Sequence, residues 1–327
     1  MSSVVSAGDI DFFVIGDSQV SYYHYQGYKN FIDNLYANCK DLPEFARLNQ
    51  SRFTFKGHGV SGSNFGHWND RRAPDQRNQH GDVCLDSEHT RSFQDGMGGN
   101  DYDNGNLRRY LCTQGRSGVE QAITNFNPSV VVANFLGNHG GDDYQTIKRD
   151  VDQFTASLPP GKACVVITSP PMMNIGTLPA DLRRDIQDNA RAEDAEKWLK
   201  EHPRWIRFRI QKAEEIHRAV RANGRCELVE GTNDRMQSRF GNDHRNYIRY
   251  YHNNAKLNRI TASFDYYHVN DEGSLRFFKM KRQEICRAFT RALARSRRNS
   301  RSRNGETMVE TFPDPNEVKP ESERSAL

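Results

Sequence analysis

The stretch VIGDSQVSYY, residues 14–23, decides how the rest of the chain is read. An apolar run, Asp11 to Ile15, stops abruptly at Gly16-Asp17-Ser18. A short β-branched and aromatic run ending in glycine reads as a buried strand. The serine at its end then has two readings. It caps the helix that follows, or it is a nucleophile held at the edge of a sheet.

Other runs of the same kind follow. Phe53–Lys56, Val130–Leu136 and Ala163–Thr168 are short, β-branched or aromatic, and bounded by Gly, Ser or Pro; Cys226–Val229 is a fifth candidate. Helical patterns fall between them, around residues 26–37, 118–126, 144–157, 183–200 and 209–222. Asp271-Glu272-Gly273 opens a last helix, in which Leu275, Phe278, Ile285, Phe289 and Leu293 recur near helical spacing. Strands alternating with helices predict an α/β fold: a mostly parallel sheet of about five strands with helices on both faces, a three-layer α/β/α sandwich. Sites in such sheets lie beyond the carboxyl ends of the strands. Ser18 stands at such a position.

Composition bounds the alternatives. The 327 residues are 35% hydrophobic and carry a net charge of +4. Mean hydropathy is −0.87 and the pI is near 8.7. The core must therefore come from a few concentrated segments, with polar loops around them. The charge excess is too mild for a nucleic-acid footprint. No stretch approaches the roughly 18 apolar residues of a membrane helix. No basic region followed by an apolar one marks a signal peptide at the start, which leaves the compartment open: a cytoplasmic protein, one exported by a non-classical route, or a mature form missing its leader.

The expected organisation is one domain over residues 1–295. It carries polar insertions at about 64–117 and 231–262, where Trp68, Tyr102, Tyr110, Tyr247, Tyr250 and Tyr251 suit lids or binding walls. Residues 296–327, basic and then Pro/Glu-rich, read as a disordered tail. The six cysteines form no CxxC pair, which argues against zinc. Cys164 and Cys286 lie in apolar segments and read as buried thiols. Cys84 and Cys112 flank a loop and read either as a disulfide or as free thiols. DYDNGN, residues 101–106, lacks the acid that closes a calcium loop, since Cys112 holds the twelfth position. No cofactor or metal is expected.

Acyl transfer by serine needs a nucleophile, a base, an acid that orients the base, and donors for the oxyanion. Four blocks offer them in chain order. Gly16-Asp17-Ser18 follows strand one. Gly57-His58-Gly59-Val60-Ser61-Gly62 follows strand two. Gly137-Asn138-His139 follows strand three. Asp265-Tyr266-Tyr267-His268 precedes the last helix. Two decoys lack this context: Gly98-Gly99-Asn100-Asp101 follows no strand, and Asp86-Ser87-Glu88-His89 sits inside the long insertion.

In these blocks the sequence resembles the SGNH hydrolase superfamily, the GDSL-like esterases and lipases. Their marks are a GDS serine, a glycine after the second strand, a GxND-type asparagine and a C-terminal DxxH. The resemblance implies a flavodoxin-like three-layer fold and a serine esterase working through an acyl-enzyme. It implies Ser18 as nucleophile, His268 as base and Asp265 as its orienting acid. The oxyanion hole would comprise the backbone N–H groups of Ser18 and Gly62 and the side chain of Asn138. Two departures stand out: His139 where Asp is usual, and Tyr267 and Val269 around the histidine. The polar, aromatic and Arg/Asn-rich insertions suit a short acyl group, such as acetyl, on a carbohydrate or other polar ester. Two alternatives share the sequence: an O-acyltransferase with the same triad, and a non-catalytic binding protein on this fold. His24, His58 and His139 lie near the site by sequence and read as polar packing.

Overall fold

The computed structural model describes residues 10–20, 25–42, 45, 53–60, 62–72, 115–189 and 192–303. Five strands form one parallel sheet: β1 (Ile10–Gly16), β2 (Phe53–Gly59), β3 (Val130–Asn134), β4 (Ala163–Ile167) and β5 (Glu227–Val229), in the order β2-β1-β3-β4-β5. All five correspond to the apolar runs.

Successive residues of a strand point to opposite faces, so each run supplies two cores. Ile10, Phe12 and Val14 face one helical layer: α1 (Tyr25–Asp33), α2 (Leu35–Cys39) and the C-terminal helix. Phe13 and Ile15 face the other. There they meet α3 (Phe65–Asn69), α4 (Gly118–Phe126), α5 (Tyr144–Ala156) and part of a longer helix. The α/β/α sandwich is therefore present.

Register fixes the site's position. Gly16 pairs with Gly59 on one side and Asn134 on the other, and Asn134 pairs with Ile167. The carboxyl ends of β2, β1, β3 and β4 are thus level. The chain order reverses between β1 and β3, the switch point where such sheets bind ligands. Gly16 must lack a side chain there, because a Cβ would lie 2.2 Å from Val20 Cγ2 and 2.7 Å from the Asn134 carbonyl.

Several elements differ from expectation. Helices α6 (Ala180–Asn189) and α7 (Ala192–Asn223) replace the segments 183–200 and 209–222. α7 continues through Pro203. A proline inside a helix removes one ladder bond, but buried His202, Ile210 and Ala213 anchor α7 around and beyond it. The last helix, α8 (Asp271–Arg303), outruns its expected end near Leu293. Arg295 explains the extension, donating to the carbonyls of Gly224 at 2.9 Å and Arg225 at 3.0 Å. The first residues of the expected tail, 296–303, therefore continue a helix; residues 304–327 lie outside the described residues.

Cys164 and Cys286 are buried but not free. Cys39 pairs with Cys286, joining α2 to α8, and Cys164 with Cys226, joining β4 to the approach of β5. The partners stand 247 and 62 residues apart, so only the folded chain shows the pairing. Cys84 and Cys112 lie outside the described residues, as do Tyr102, Tyr110, His24 and DYDNGN.

The second insertion holds the largest departure. It folds as an antiparallel ribbon, β6 (Tyr247–Asn254) and β7 (Arg259–Val269), which stands apart from the main sheet. Asn258 turns the hairpin with φ of 45°. Asp243 ties the ribbon's entry to α8, accepting from Arg245 at 2.7 Å and from Arg276. The Arg245 bond chiefly holds the Asp243 carboxyl far below the usual range; burial opposes this and the Arg276 bond adds to it. A carboxyl depressed by folding stabilises above its unfolded pKa, near 4, and the benefit fades as pH falls toward the lower folded value. Both arginines are partly exposed and solvent screens the pairs, so Asp243→Asn should cost about 1 kcal/mol at neutral pH. Chemical denaturation at a series of pH values should show the gap from wild type closing below about pH 4.

Candidate active site

Ser18 begins a helical turn two residues beyond β1. Asp17, not Ser18, receives the amide of Gln19, at 2.9 Å through Oδ1. The Ser18 hydroxyl faces His268, with 2.8 Å between Oγ and Nε2. His268 Nδ1 stands 2.6 Å from Asp265 Oδ2. A carboxylate only accepts, so Nδ1 carries the proton and Nε2 is left to accept from serine. That tautomer is the one a general base requires.

Asp265 stays ionised. Burial works to raise its pKa, but hydrogen bonding and charge from His268 outweigh this and leave it below the usual carboxylate range. The backbone N–H groups of Tyr267 and His268 add to the depression, each donating to Oδ1 at 3.0 Å. Ser18 and His268, 250 residues apart, thus meet in one hydrogen-bonded chain with Asp265.

A bulge makes this possible. Tyr247 and Ile248 are adjacent on β6, yet their partners on β7 are Val269 and Asp265. Residues 266–268 fall out of the ladder, and His268 is turned out with them. Such bulges re-aim side chains. The freed backbone carbonyls find other donors: Tyr266 takes the Met173 N–H at 2.9 Å, and Tyr267 takes the Gln19 side chain.

The Gly62 and Asn138 loops reach the same edge. Gly62 has φ of 77°, a left-handed conformation that favours glycine. Gly16 O accepts from Val60 N at 2.9 Å and Ser63 Oγ at 3.0 Å, which binds this loop to the serine turn. Asn138 Nδ2 donates to Ser63 O at 2.9 Å, and Asn64 Nδ2 returns a bond to Asn138 O at 3.2 Å. The side chain of Asn138 is thus held beside Gly62, with one of its two amide hydrogens committed to Ser63.

His139 holds this turn from behind. It is buried, with Nδ1 2.8 Å from Asp142 Oδ2 and Nε2 facing Phe65 N at 3.5 Å. The His139 hydrogen bond also depresses the Asp142 pKa, against burial. His139, Asp142 and Asp150 place ligand-type atoms within 4.8 Å of one another. Both ring nitrogens of His139 are engaged, however, so the group works as a clamp on the Asn138 turn. His58 is also buried and packs edge-on to Trp68.

The aromatic expectation divides. Trp68 and Tyr247 are core residues, Trp68 donating to Ser63 Oγ at 3.2 Å and Tyr247 to the Pro171 carbonyl at 2.7 Å. Tyr250 and Tyr251 are exposed on the ribbon.

Tyr267 stood out in the sequence as a departure beside His268, whereas its neighbours Tyr266, Trp198 and Arg209 were not singled out. Tyr266 packs on Trp198 and Tyr267, with ring centres at 4.8 and 4.7 Å. The guanidinium of buried Arg209 lies 5.3 Å from the Tyr267 ring. Burial lowers the Arg209 pKa, while Tyr267 and Asp17 act to keep it charged. Burial raises the Tyr267 pKa, and Arg209 partly offsets the rise. The doublet Tyr266-Tyr267 inside DYYH was the available signal; Arg209, on a distant helix, had none.

No protein-family model matches the chain, and no curated protein does. Solved structures with a similar chain path include three of this kind. The acetyl xylan esterase AlAXEase is 11% identical, with a TM-score of 0.36, over 85% of this chain and 99% of that one. A protein of Slackia heliotrinireducens assigned to the SGNH hydrolases is 10% identical, with a TM-score of 0.36, over 86% and 99%. The psychrotrophic esterase EstA from Pseudoalteromonas sp. is 12% identical, with a TM-score of 0.36, over 87% and 98%. The chain is similar to these three proteins in chain path, and the chemistry of its site lies in its own residues.

Proposed function

We propose that the protein is a serine esterase that works through an acyl-enzyme and removes short acyl groups, such as acetyl, from a carbohydrate or other polar ester. One observation carries this reading: the continuous Ser18–His268–Asp265 hydrogen-bonded chain at the sheet's switch point. Ser18 Oγ attacks the ester carbonyl as His268 Nε2 takes its proton. Asp265 stabilises the imidazolium without itself being protonated. The carbonyl oxygen, now negative, is met by the backbone N–H groups of Ser18 and Gly62 and by Asn138 Nδ2. Collapse breaks the ester C–O bond, and the alcohol leaves with the proton from His268. Water then enters by the same steps in reverse, and Ser18 is regenerated with a free carboxylic acid.

The acyl-length reading rests on the neighbours of His268. Among the described residues, Tyr267, Tyr266, Trp198 and Arg209 offer aromatic faces and a cation, not the continuous apolar lining a long chain needs. In a p-nitrophenyl ester series, kcat/KM should be highest for acetyl and fall through octanoyl. A preference for octanoyl would overturn the short-acyl assignment, and hydrolysis of none of the series would overturn the simple esterase.

The oxyanion assignment has its own test. Asn138→Ala should lower kcat by about 10²–10³, the usual cost of one such donor. A kcat within about three-fold of wild type would remove Asn138 from the hole.

A further inference from the structure

We propose that Gln19 is a positioning residue that fixes the distance and direction between the nucleophile and its base. This rests on the esterase reading above, and it adds a role for the residue that follows the serine.

The two reacting groups belong to different sheets. Ser18 leaves β1 in the middle of the parallel sheet, whereas His268 sits on β7 in the separate ribbon. Among the described residues, no strand pairing joins β7 to the five-stranded sheet. The ribbon's own ladder does not hold His268 either, because residues 266–268 drop out of the pairing with β6. Some other contact must set how far Nε2 stands from Oγ.

Gln19 is placed to do this. It is 5% exposed, and its side-chain Nε2 donates to the carbonyl of Tyr267, the residue immediately before His268. Its backbone N–H is fixed at the other end by Asp17 Oδ1, at 2.9 Å. One residue thus links the serine turn to the backbone of the histidine segment. Met173 N–H takes the neighbouring Tyr266 carbonyl at 2.9 Å. Consecutive carbonyls of extended chain point to opposite sides, so Gln19 and Met173 grip the segment between them. Removing the Gln19 amide leaves one side of that grip open and a part-buried carbonyl without this donor.

The test uses Gln19→Leu and Gln19→Glu in the full chain, with thermal melting to verify folding. Misplacing a catalytic group by about 1 Å costs up to roughly 10² in rate. Gln19→Leu should lower kcat on p-nitrophenyl acetate by about ten- to a hundred-fold, with KM within about two-fold of wild type. In Gln19→Glu an ionised carboxylate repels the Tyr267 carbonyl, whereas the protonated acid donates to it. The ratio of its kcat to that of wild type at the same pH should therefore rise as pH falls. A wild-type kcat for Gln19→Leu, a loss confined to KM, or a flat ratio for Gln19→Glu would overturn the proposal.

A second readout is independent of turnover. The Nδ1 proton shared by His268 and Asp265 should give a downfield proton resonance in wild type that broadens or vanishes in Gln19→Leu. If wild type hydrolyses no ester yet this resonance behaves as expected, the esterase reading fails and the positioning role stands. An unchanged resonance overturns the positioning role whatever the activity. Should Gln19→Leu not fold, Gln19→Glu carries both readouts.

Discussion

Ser18→Ala should abolish hydrolysis of p-nitrophenyl acetate while the protein remains folded. The serine oxygen is the only heavy atom lost, and it stands 2.8 Å from His268 Nε2. Members of such a triad act as a unit, and loss of the nucleophile typically costs on the order of 10⁶ in kcat. The backbone turn should survive, because Gly16, Asp17 and Gln19 hold it through Val60, Ser63, Asn134 and Tyr267. Matched steady-state rates and melting curves check this. A folded variant that keeps more than about a hundredth of the activity would place the chemistry elsewhere.

Asp265→Asn should cost about 10³–10⁴ in kcat and leave KM near its wild-type value. The replacement is nearly isosteric, so the loss arises from protonation rather than shape. Asp265 Oδ2 accepts from His268 Nδ1, which leaves Nε2 free to take the serine proton. An amide in that place can turn its NH₂ toward Nδ1 and select the opposite tautomer, with Nε2 protonated and unable to act as base. It also removes the negative charge that stabilises the imidazolium. Kinetics on the folded variant give the result directly, and a loss below about ten-fold would reduce Asp265 to a structural hydrogen-bond partner.

Much of the main sheet was legible because its strands are buried on both faces. Val130–Asn134 and Ala163–Ile167 are buried at every position, so each appears in the sequence as an apolar run, with Asn134 the one polar member. The placement of Ser18 and Asn138 at one sheet edge was legible for a related reason: each follows such a run, Gly62 follows the half-buried β2, and parallel register brings the ends level. The ribbon was not. Residues 249–253 of β6 are all exposed, and RYYHN shows neither an apolar run nor a buried alternation. Its aromatic and β-branched content, with the hairpin turn at Asn258, was the signal present. The bulge that frees Tyr266 to His268 is a matter of pairing between two strands, which neither strand encodes alone. Pairing likewise hid the cystines: apolar surroundings marked Cys164 and Cys286 as buried but could not name Cys226 and Cys39 as their partners. The gap expected between residues 200 and 209 is absent, because long-range packing carries α7 through Pro203.

The central claim is that Ser18 is a nucleophile activated by His268, and covalent trapping tests it most directly. The full chain is treated with a p-nitrophenyl alkylphosphonate, and the adduct is located by intact mass and peptide mapping. The account predicts one phosphonyl group on Ser18 in wild type, and labelling slowed by several orders of magnitude in His268→Ala. Labelling of another residue, or equal labelling of Ser18 with and without His268, would contradict it.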